Sequence, residues 1–390
     1  MRKSVFTQTK TAEDTLKKYV ELGFFTAEDA DIIRKYIAQK IVLSGSLAVN
    51  SQLRIIKDIL TMYRVQPKIY IRDLTTDIIY EKIQNVHTSD YKQNTKHSII
   101  SINKSFWRYL SENGIGNIDK EKIRLIKAVR PDFETTSPDE ILTPDEIISM
   151  ITHAGSARNR AFVATLYESA GRISEIASLK WKDFIFDEDG VGLWIPDFKN
   201  KQKRYVRLIS AKPHLLELKN NSARVHKSDL KEEYVFQTNR KKPMSYAMCK
   251  FLIKIISQDA GINKRVHPHL LRKSRITHLS QDGYSEAIIK EIAWGNQNSN
   301  MMPVYSKLSH KDIDNETLRK HGLKAAEDLE TEKLHSVRCL RCGTVITPDQ
   351  KYCPHCGLSK NAELTDAEMS IDPEILAKAL KIIMEKKEEL

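Results

Sequence analysis

At 390 residues the chain is long enough for two or three domains with their own cores. Its 63 Lys and Arg outnumber 51 Asp and Glu, and a net charge of +12 suits a polyanionic partner, because neutralised phosphates release condensed counterions. No long uncharged apolar run is present, which argues against a transmembrane helix; MRKSVFTQTKTAED lacks an apolar signal-peptide region, and a cytoplasmic protein is expected.

Residues 1–128 read as helices. Thr11 and Thr26 each stand three places before an acid, Asp14 and Asp29, the capping-box spacing that satisfies free N-terminal amides. Apolar residues then recur at helical spacing: Ile32, Ile33, Tyr36 and Ile37, followed by Leu53, Ile56 and Leu60. A third stretch, Ile99, Ile102, Phe106 and Leu110, stops at Asn113-Gly114. Neither a strand pattern nor an internal repeat interrupts them.

Residues 129–142 read as a linker, because Pro131 and Pro138 bias their neighbours away from helix. Thr143-Pro144-Asp145-Glu146 supplies an N-cap, a proline at the first helical position and acids at the positive end of the dipole, so a second domain, 143–325, is expected to begin there. Within it a helix from Asn159 reaches a sharp turn at Ala170-Gly171 and resumes through Leu179. Short β-like runs follow at Phe184–Phe186, Val191–Pro196 and Tyr205–Ile209, the first two joined by Asp187-Glu188-Asp189-Gly190. The expected fold is mainly α, with a small antiparallel β-sheet in this second domain.

Three separated blocks carry the chemistry. They are Gly171-Arg172-Ile173-Ser174-Glu175; His267-Pro268-His269-Leu270-Leu271-Arg272; and Trp294-Gly295-Asn296 with Tyr305 nine residues after Asn296. Breaking a phosphodiester without metal or nucleotide takes a nucleophile, positive charge on the non-bridging oxygens, and an acid for the leaving oxygen. Arg172 and Arg272 are planar donor forks suited to phosphate. His269 sits one helical turn before Arg272, so both can face the same phosphate, and Tyr305 is the candidate nucleophile. Glu175 is expected to orient Arg172, His267 to be a loop or DNA-backbone residue, and Tyr167 to be core.

In this order and spacing, with the hairpin between them, the blocks resemble the catalytic domain of tyrosine recombinases, the phage integrase family, over Thr143 to Asp314. The resemblance implies a site-specific DNA recombinase that cuts and rejoins double-stranded DNA through a 3'-phosphotyrosyl link, without ATP or catalytic metal, as a homotetramer on two DNA sites. It implies catalytic roles for Arg172, His269, Arg272, Asn296 and Tyr305, and a hairpin lysine as the acid. Alignment through Lys203-Arg204-Tyr205-Val206 makes that lysine Lys199, with Lys201 as the alternative. Asn296 departs from the family's usual His or Trp; its amide donates a hydrogen bond but relays no proton. The helical 1–128 segment is similar to the family's core-binding domain in size and position. A type IB-like topoisomerase shares the phosphotyrosine chemistry, and a catalytically weakened DNA-binding relative is the other alternative.

Four of the five cysteines, Cys339, Cys342, Cys353 and Cys356, form two Cys-x-x-Cys pairs, a spacing for one structural Zn²⁺ in a zinc-ribbon-like module at 336–360. Gly343 and Gly357 relieve the two knuckle turns, His335 and His355 are not needed as ligands, and Cys249 reads as a buried apolar residue. Such a tail resembles archaeal members of the family. A terminal helix at 370–390, opened by Asp372-Pro373-Glu374, carries Leu376, Leu380 and Ile383 on one face.

Overall fold

The structure is a computed structural model that describes residues 11–65, 69–132, 136–196, 203–225, 230–321 and 333–362; Lys199, Lys201 and the expected terminal helix lie outside the described residues. These fall into two compact units, one within Thr7–Thr135 and the other within Thr136–Leu390. No helix among the described residues is long and apolar enough to cross a membrane.

The first unit is helical: α1 (Ala12–Glu21), α2 (Ala27–Ser44), α3 (Val49–Arg64), α4 (Thr76–Thr88), α5 (Gln93–Glu112) and α6 (Lys120–Leu125). Both expected capping boxes form, at Thr11 with Asp14 and at Thr26 with Asp29. The apolar periodicity becomes one core, in which Ile33, Ile56, Ile79, Ile99, Phe106 and Trp107 are sealed from solvent. Each fully buried side chain of that kind contributes about 1.5–3 kcal/mol. Asp29 is buried too, and the fold uses it twice: beyond its cap, its carboxylate accepts from the Tyr63 hydroxyl (3.2 Å) and the Ile71 amide (3.1 Å). The chain leaving α6 stays on this unit, where Asn94 and Asp132 exchange two hydrogen bonds of 2.8 Å.

The second unit opens with α7 (Pro144–Thr152), capped by the Thr143–Glu146 box, then α8 (Ala157–Glu168) and the short α9 (Ile173–Ile176). An antiparallel sheet follows, β1 (Phe184–Phe186), β2 (Val191–Pro196) and β3 (Lys203–Leu208), with Phe186 opposite Val191 and Pro196 opposite Lys203. The Asp187 carboxylate closes the first turn by accepting from the amides of Asp189 (3.1 Å) and Gly190 (3.0 Å). The chain continues as α10 (Lys212–Val225), α11 (Tyr246–Asp259), α12 (Pro268–Gln281), α13 (Glu286–Trp294), α14 (Met302–Tyr305) and α15 (His310–Lys320). Helix α12 is buried on nearly every side, the signature of a central helix. Its Ser274 hydroxyl accepts from the Leu142 amide (3.0 Å), fixing the start of the unit against its centre. Cys249 is fully buried, as expected.

Candidate active site and metal centre

One buried phenol collects the elements of the second unit around it. Tyr305, 6% exposed, ends α14. Its carbonyl accepts from the Thr277 hydroxyl of α12 (3.3 Å), and the Lys307 amide donates to that same hydroxyl (3.1 Å), so the segment is tied to α12 on both sides of the tyrosine. The Tyr305 hydroxyl lies 2.9 Å from Nε2 of His269, on the first turn of α12. Trp294 meets the phenol edge-on, with ring centroids 5.3 Å apart. His269 keeps part of its surface open to solvent, but desolvation of its ring against Tyr305, and next Arg272, push the imidazole down to about 4. At neutral pH it is uncharged, and in the tautomer protonated at Nδ1 it accepts the phenol's proton at Nε2.

One helical turn on, Arg272 is 1% exposed. Nη1 donates to the Ala170 carbonyl and Nη2 to the Ala293 carbonyl (2.7 Å), while Nε has no hydrogen-bond partner among the described residues. Its guanidinium carbon stands 5.4 Å from the ring centroids of both Trp294 and Tyr305, within cation–π range. Burial, and then Arg204 and Arg172, pull Arg272 down to about 10, which leaves it charged at neutral pH.

Arg172 caps α9. The turn before it places Ala170 at φ 47°, a left-handed conformation unusual for a residue with a Cβ, and so aims the Ala170 carbonyl at Arg272. Glu175 returns to Arg172, accepting from its amide (2.9 Å) and its Nη1 (2.6 Å). The expectation that Glu175 orients Arg172 matches these contacts, but the carboxylate also takes Arg204 Nη2 of β3 at 2.7 Å, with both side chains 2% exposed. Against the cost of burial, Arg204 and then Arg172 hold the Glu175 carboxyl below its ordinary range. Arg204 Nε donates to the Ile292 carbonyl (2.8 Å) at the end of α13. There Gly295 ends the helix at φ 61°, and a Cβ on it would come within 2.8 Å of the Arg204 Cβ, so glycine is required by conformation and by space.

Among the described residues, Arg172, Arg204 and Arg272 face a single carboxylate, Glu175, which leaves two surplus positive charges in one partly water-excluded pocket. An arrangement of this kind can hold an oxyanion such as a phosphate.

Sequence reading had not singled out Arg204, Thr277 or the full part of Trp294. Arg204 was findable: on β3, Arg204, Val206 and Leu208 alternate inward while Lys203 and Tyr205 are exposed. Thr277 carries no local signal. The structure brings Arg172, His269, Arg272 and Tyr305 together. Asn296 is exposed, its side-chain Oδ1 accepts from the Asn298 amide (2.8 Å), and no hydrogen bond links it to the other four among the described residues. His267 is the exposed cap of α12, and Tyr167 is buried, its hydroxyl 2.7 Å from His278 Nδ1.

The four C-terminal cysteines form the second centre. Strands β4 (Val337–Arg338) and β5 (Val345–Ile346) pair antiparallel, and two matching knuckles carry the thiols. Gly343 donates to the Cys339 carbonyl (2.9 Å) and Gly357 to that of Cys353 (3.0 Å), each glycine left-handed at φ 70° and 72°. All four Sγ atoms lie within 4.8 Å of one another, with 3.5 Å between Cys339 and Cys356 and between Cys342 and Cys353. A tetrahedron with metal–sulfur bonds of about 2.3 Å has edges of about 3.8 Å, so the residues fit a tetrahedral ion. Contacts with Thr344, its hydroxyl first, hold the Cys342 thiol down to about 5. Against a lowering bond from the Leu358 amide, burial and the neighbouring thiols push Cys356 up to about 12. A central cation would relieve that crowding of charge.

Residues 140–312 match the sequence model described as "Phage integrase family". The chain is 25% identical over 230 residues to Tyrosine recombinase XerC of Pediococcus pentosaceus, covering 57% of this chain and 73% of the relative. It is 25% identical over 239 residues to Tyrosine recombinase XerA of Pyrococcus horikoshii, covering 59% and 75%. Among solved structures, a lambda integrase tetramer bound to a Holliday junction superposes with a TM-score of 0.53 at 18% identity, covering 71% of this chain and 76% of that one.

Proposed function

We propose that the chain is a tyrosine-type site-specific recombinase of the phage integrase family, which cuts and rejoins double-stranded DNA through a covalent link on Tyr305. The Tyr305 oxygen attacks phosphorus as its proton passes to His269 Nε2. The bond from phosphorus to the 5'-oxygen breaks, leaving a 3'-phosphotyrosyl link and a 5'-hydroxyl. Arg172 and Arg272 clamp the non-bridging oxygens, Arg272 through the Nε that has no partner among the described residues. The 5'-oxygen takes its proton from Lys199, or from Lys201. Asn296 offers its Nδ2 as a neutral donor. Because the link conserves the phosphodiester's bond energy, the hydroxyl of a second DNA end reverses the step with no ATP and no catalytic metal.

One observation carries this reading: a buried tyrosine hydroxyl 2.9 Å from a neutral imidazole, inside a pocket with two surplus positive charges. Residues 1–128 would grip the duplex from one side as a core-binding-like domain, joined through 129–142 to the catalytic domain at 143–325. Strand exchange needs a protomer at each cut strand, hence a homotetramer on two sites, the assembly named for the similar lambda integrase. The four-cysteine module would hold one structural Zn²⁺, since four thiolates leave no open position for chemistry.

A nicked suicide duplex tests the proposal: wild type accumulates a covalent protein–DNA adduct and Tyr305→Phe does not. The same adduct from Tyr305→Phe would remove Tyr305 from the role. Supercoil relaxation by a monomer that never joins two sites would make the chain a type IB-like topoisomerase instead.

A further inference from the structure

The four-cysteine module does not hang free of the second unit. Leu334, just ahead of it, is 8% exposed and belongs to the apolar cluster that fills the unit. The Ser336 hydroxyl lies 2.9 Å from that of Ser210, and Asp349 lies 3.3 Å from His214 Nε2, with that pair 12% and 7% exposed. Around these contacts run Lys333 with Asp145 (2.7 Å), His335 with Asp282 (3.4 Å) and Arg338 with Asp189 (2.5 Å). Lys333 and Arg338 bring cations from the tail to aspartates of the body, whereas Asp349 brings an acid from the tail to His214.

Ser210 and His214 flank the start of α10, and the segment entering that helix is held by a second device. Glu168, the last residue of α8 and 8% exposed, accepts from the amides of Ile209 (2.8 Å), Ser210 (3.0 Å) and Ala211 (2.8 Å). A carboxylate at a helix N-terminus satisfies amides that have no intrahelical partner. The Glu168 carbonyl accepts from Arg275 Nε of α12 (3.3 Å), and Arg172 follows four residues later.

We infer that the four-cysteine module is a brace for the active centre of its own chain, not a free DNA-reading arm. Seated at the start of α10, it keeps residues 209–211 closed on Glu168, and so holds the segment that presents Arg172. Glu168 is then a positioning residue. This rests on the reading of Arg172 as a phosphate clamp.

The test uses the full chain and two variants that leave every cysteine in place, Asp349→Ala and Leu334→Ser. Amide hydrogen exchange is followed across 205–218 and 166–176, and affinity for an uncleaved duplex is measured in the Tyr305→Phe background. Undocking speeds exchange at Ile209, Ser210 and Ala211 by about tenfold or more, while DNA affinity stays within about twofold. The adduct forms more slowly in both variants. Unchanged exchange in both overturns the brace. So does a loss of DNA affinity of about tenfold or more, which would make the module a DNA arm. If Arg172→Ala forms adduct at the wild-type rate, the clamp reading fails by itself, and the exchange result still decides the brace.

Discussion

Glu175→Gln is the sharpest perturbation of the pocket, because one carboxylate restrains two guanidiniums. Glutamine keeps the size and one accepting oxygen, but it turns the other contact into a donor facing a donor. It also removes the only negative charge paired with Arg204 among the described residues. Arg172 is 36% exposed on its side chain, so water screens much of its share. The cost falls on Arg204, which is 2% exposed and cannot shed its proton. Leaving one partner of a buried pair uncompensated costs about 3–5 kcal/mol, and the oxygen that glutamine retains sets the expectation near about 3 kcal/mol. With a slope of about 3 kcal/mol per molar urea, the midpoint falls by about 1 M. In a Trp107→Phe background the remaining tryptophans, Trp181, Trp194 and Trp294, all lie in the second unit and report its unfolding by fluorescence. An untethered Arg172 slows adduct formation by about a hundredfold, the scale expected when a clamp is misplaced by an ångström. A stability loss under about 1 kcal/mol, with adduct formation unchanged, would refute the idea that Glu175 holds both arginines.

Protonation of His269 sets an acid limit. With its pKa held near 4, the second-order rate of adduct formation stays level from pH 7 to about 5 and falls below that; an inflection at the ordinary imidazole value of 6.5 would contradict an acceptor held neutral by its surroundings. Burial pushes His278 down to about 4 as well. For both groups the folded pKa lies below the unfolded one, so their effect on stability is absent above about 6.5 and accumulates as a loss while pH falls from there towards 4. Ala170→Gly relieves a left-handed residue and raises the melting temperature by the equivalent of about 1 kcal/mol; a drop would mean that the Ala170 methyl contributes more packing than its φ costs. Lys199→Ala blocks cleavage of an ordinary duplex but spares one with a 5'-phosphorothiolate leaving group, which needs no acid, whereas Lys201→Ala leaves both near wild type; the opposite pattern moves the acid to Lys201.

Much of the molecule was readable from local chemistry. Capping boxes at Thr11, Thr26 and Thr143 mark helix starts, because side chain and amide lie three residues apart and need no partner elsewhere. The runs at Phe184 and Val191 became strands with the expected bounds, and the third strand began two residues earlier than its apolar pattern, at Lys203. Order and spacing also carried Arg172, His269, Arg272, Tyr305 and the four cysteines, since these reflect single turns of helix or knuckle.

What stayed hidden depends on contacts between residues far apart in the chain. Arg204 is a charged residue on a short strand, and only its 29-residue reach to Glu175 makes it a third guanidinium of the site. Trp294 and Asn296 stand two residues apart; local sequence favours the second as the functional position, while packing sets the first against Tyr305 and Arg272. The seat of the four-cysteine module joins Asp349 to a histidine 135 residues earlier. The sequence by itself determined the helices, the hairpin, the spacing of the four cysteines and the order of the candidate site residues, because those follow from backbone geometry within a turn or two. Only the tertiary structure decided which charges share the buried pocket, because burial is a property of everything that packs around a group.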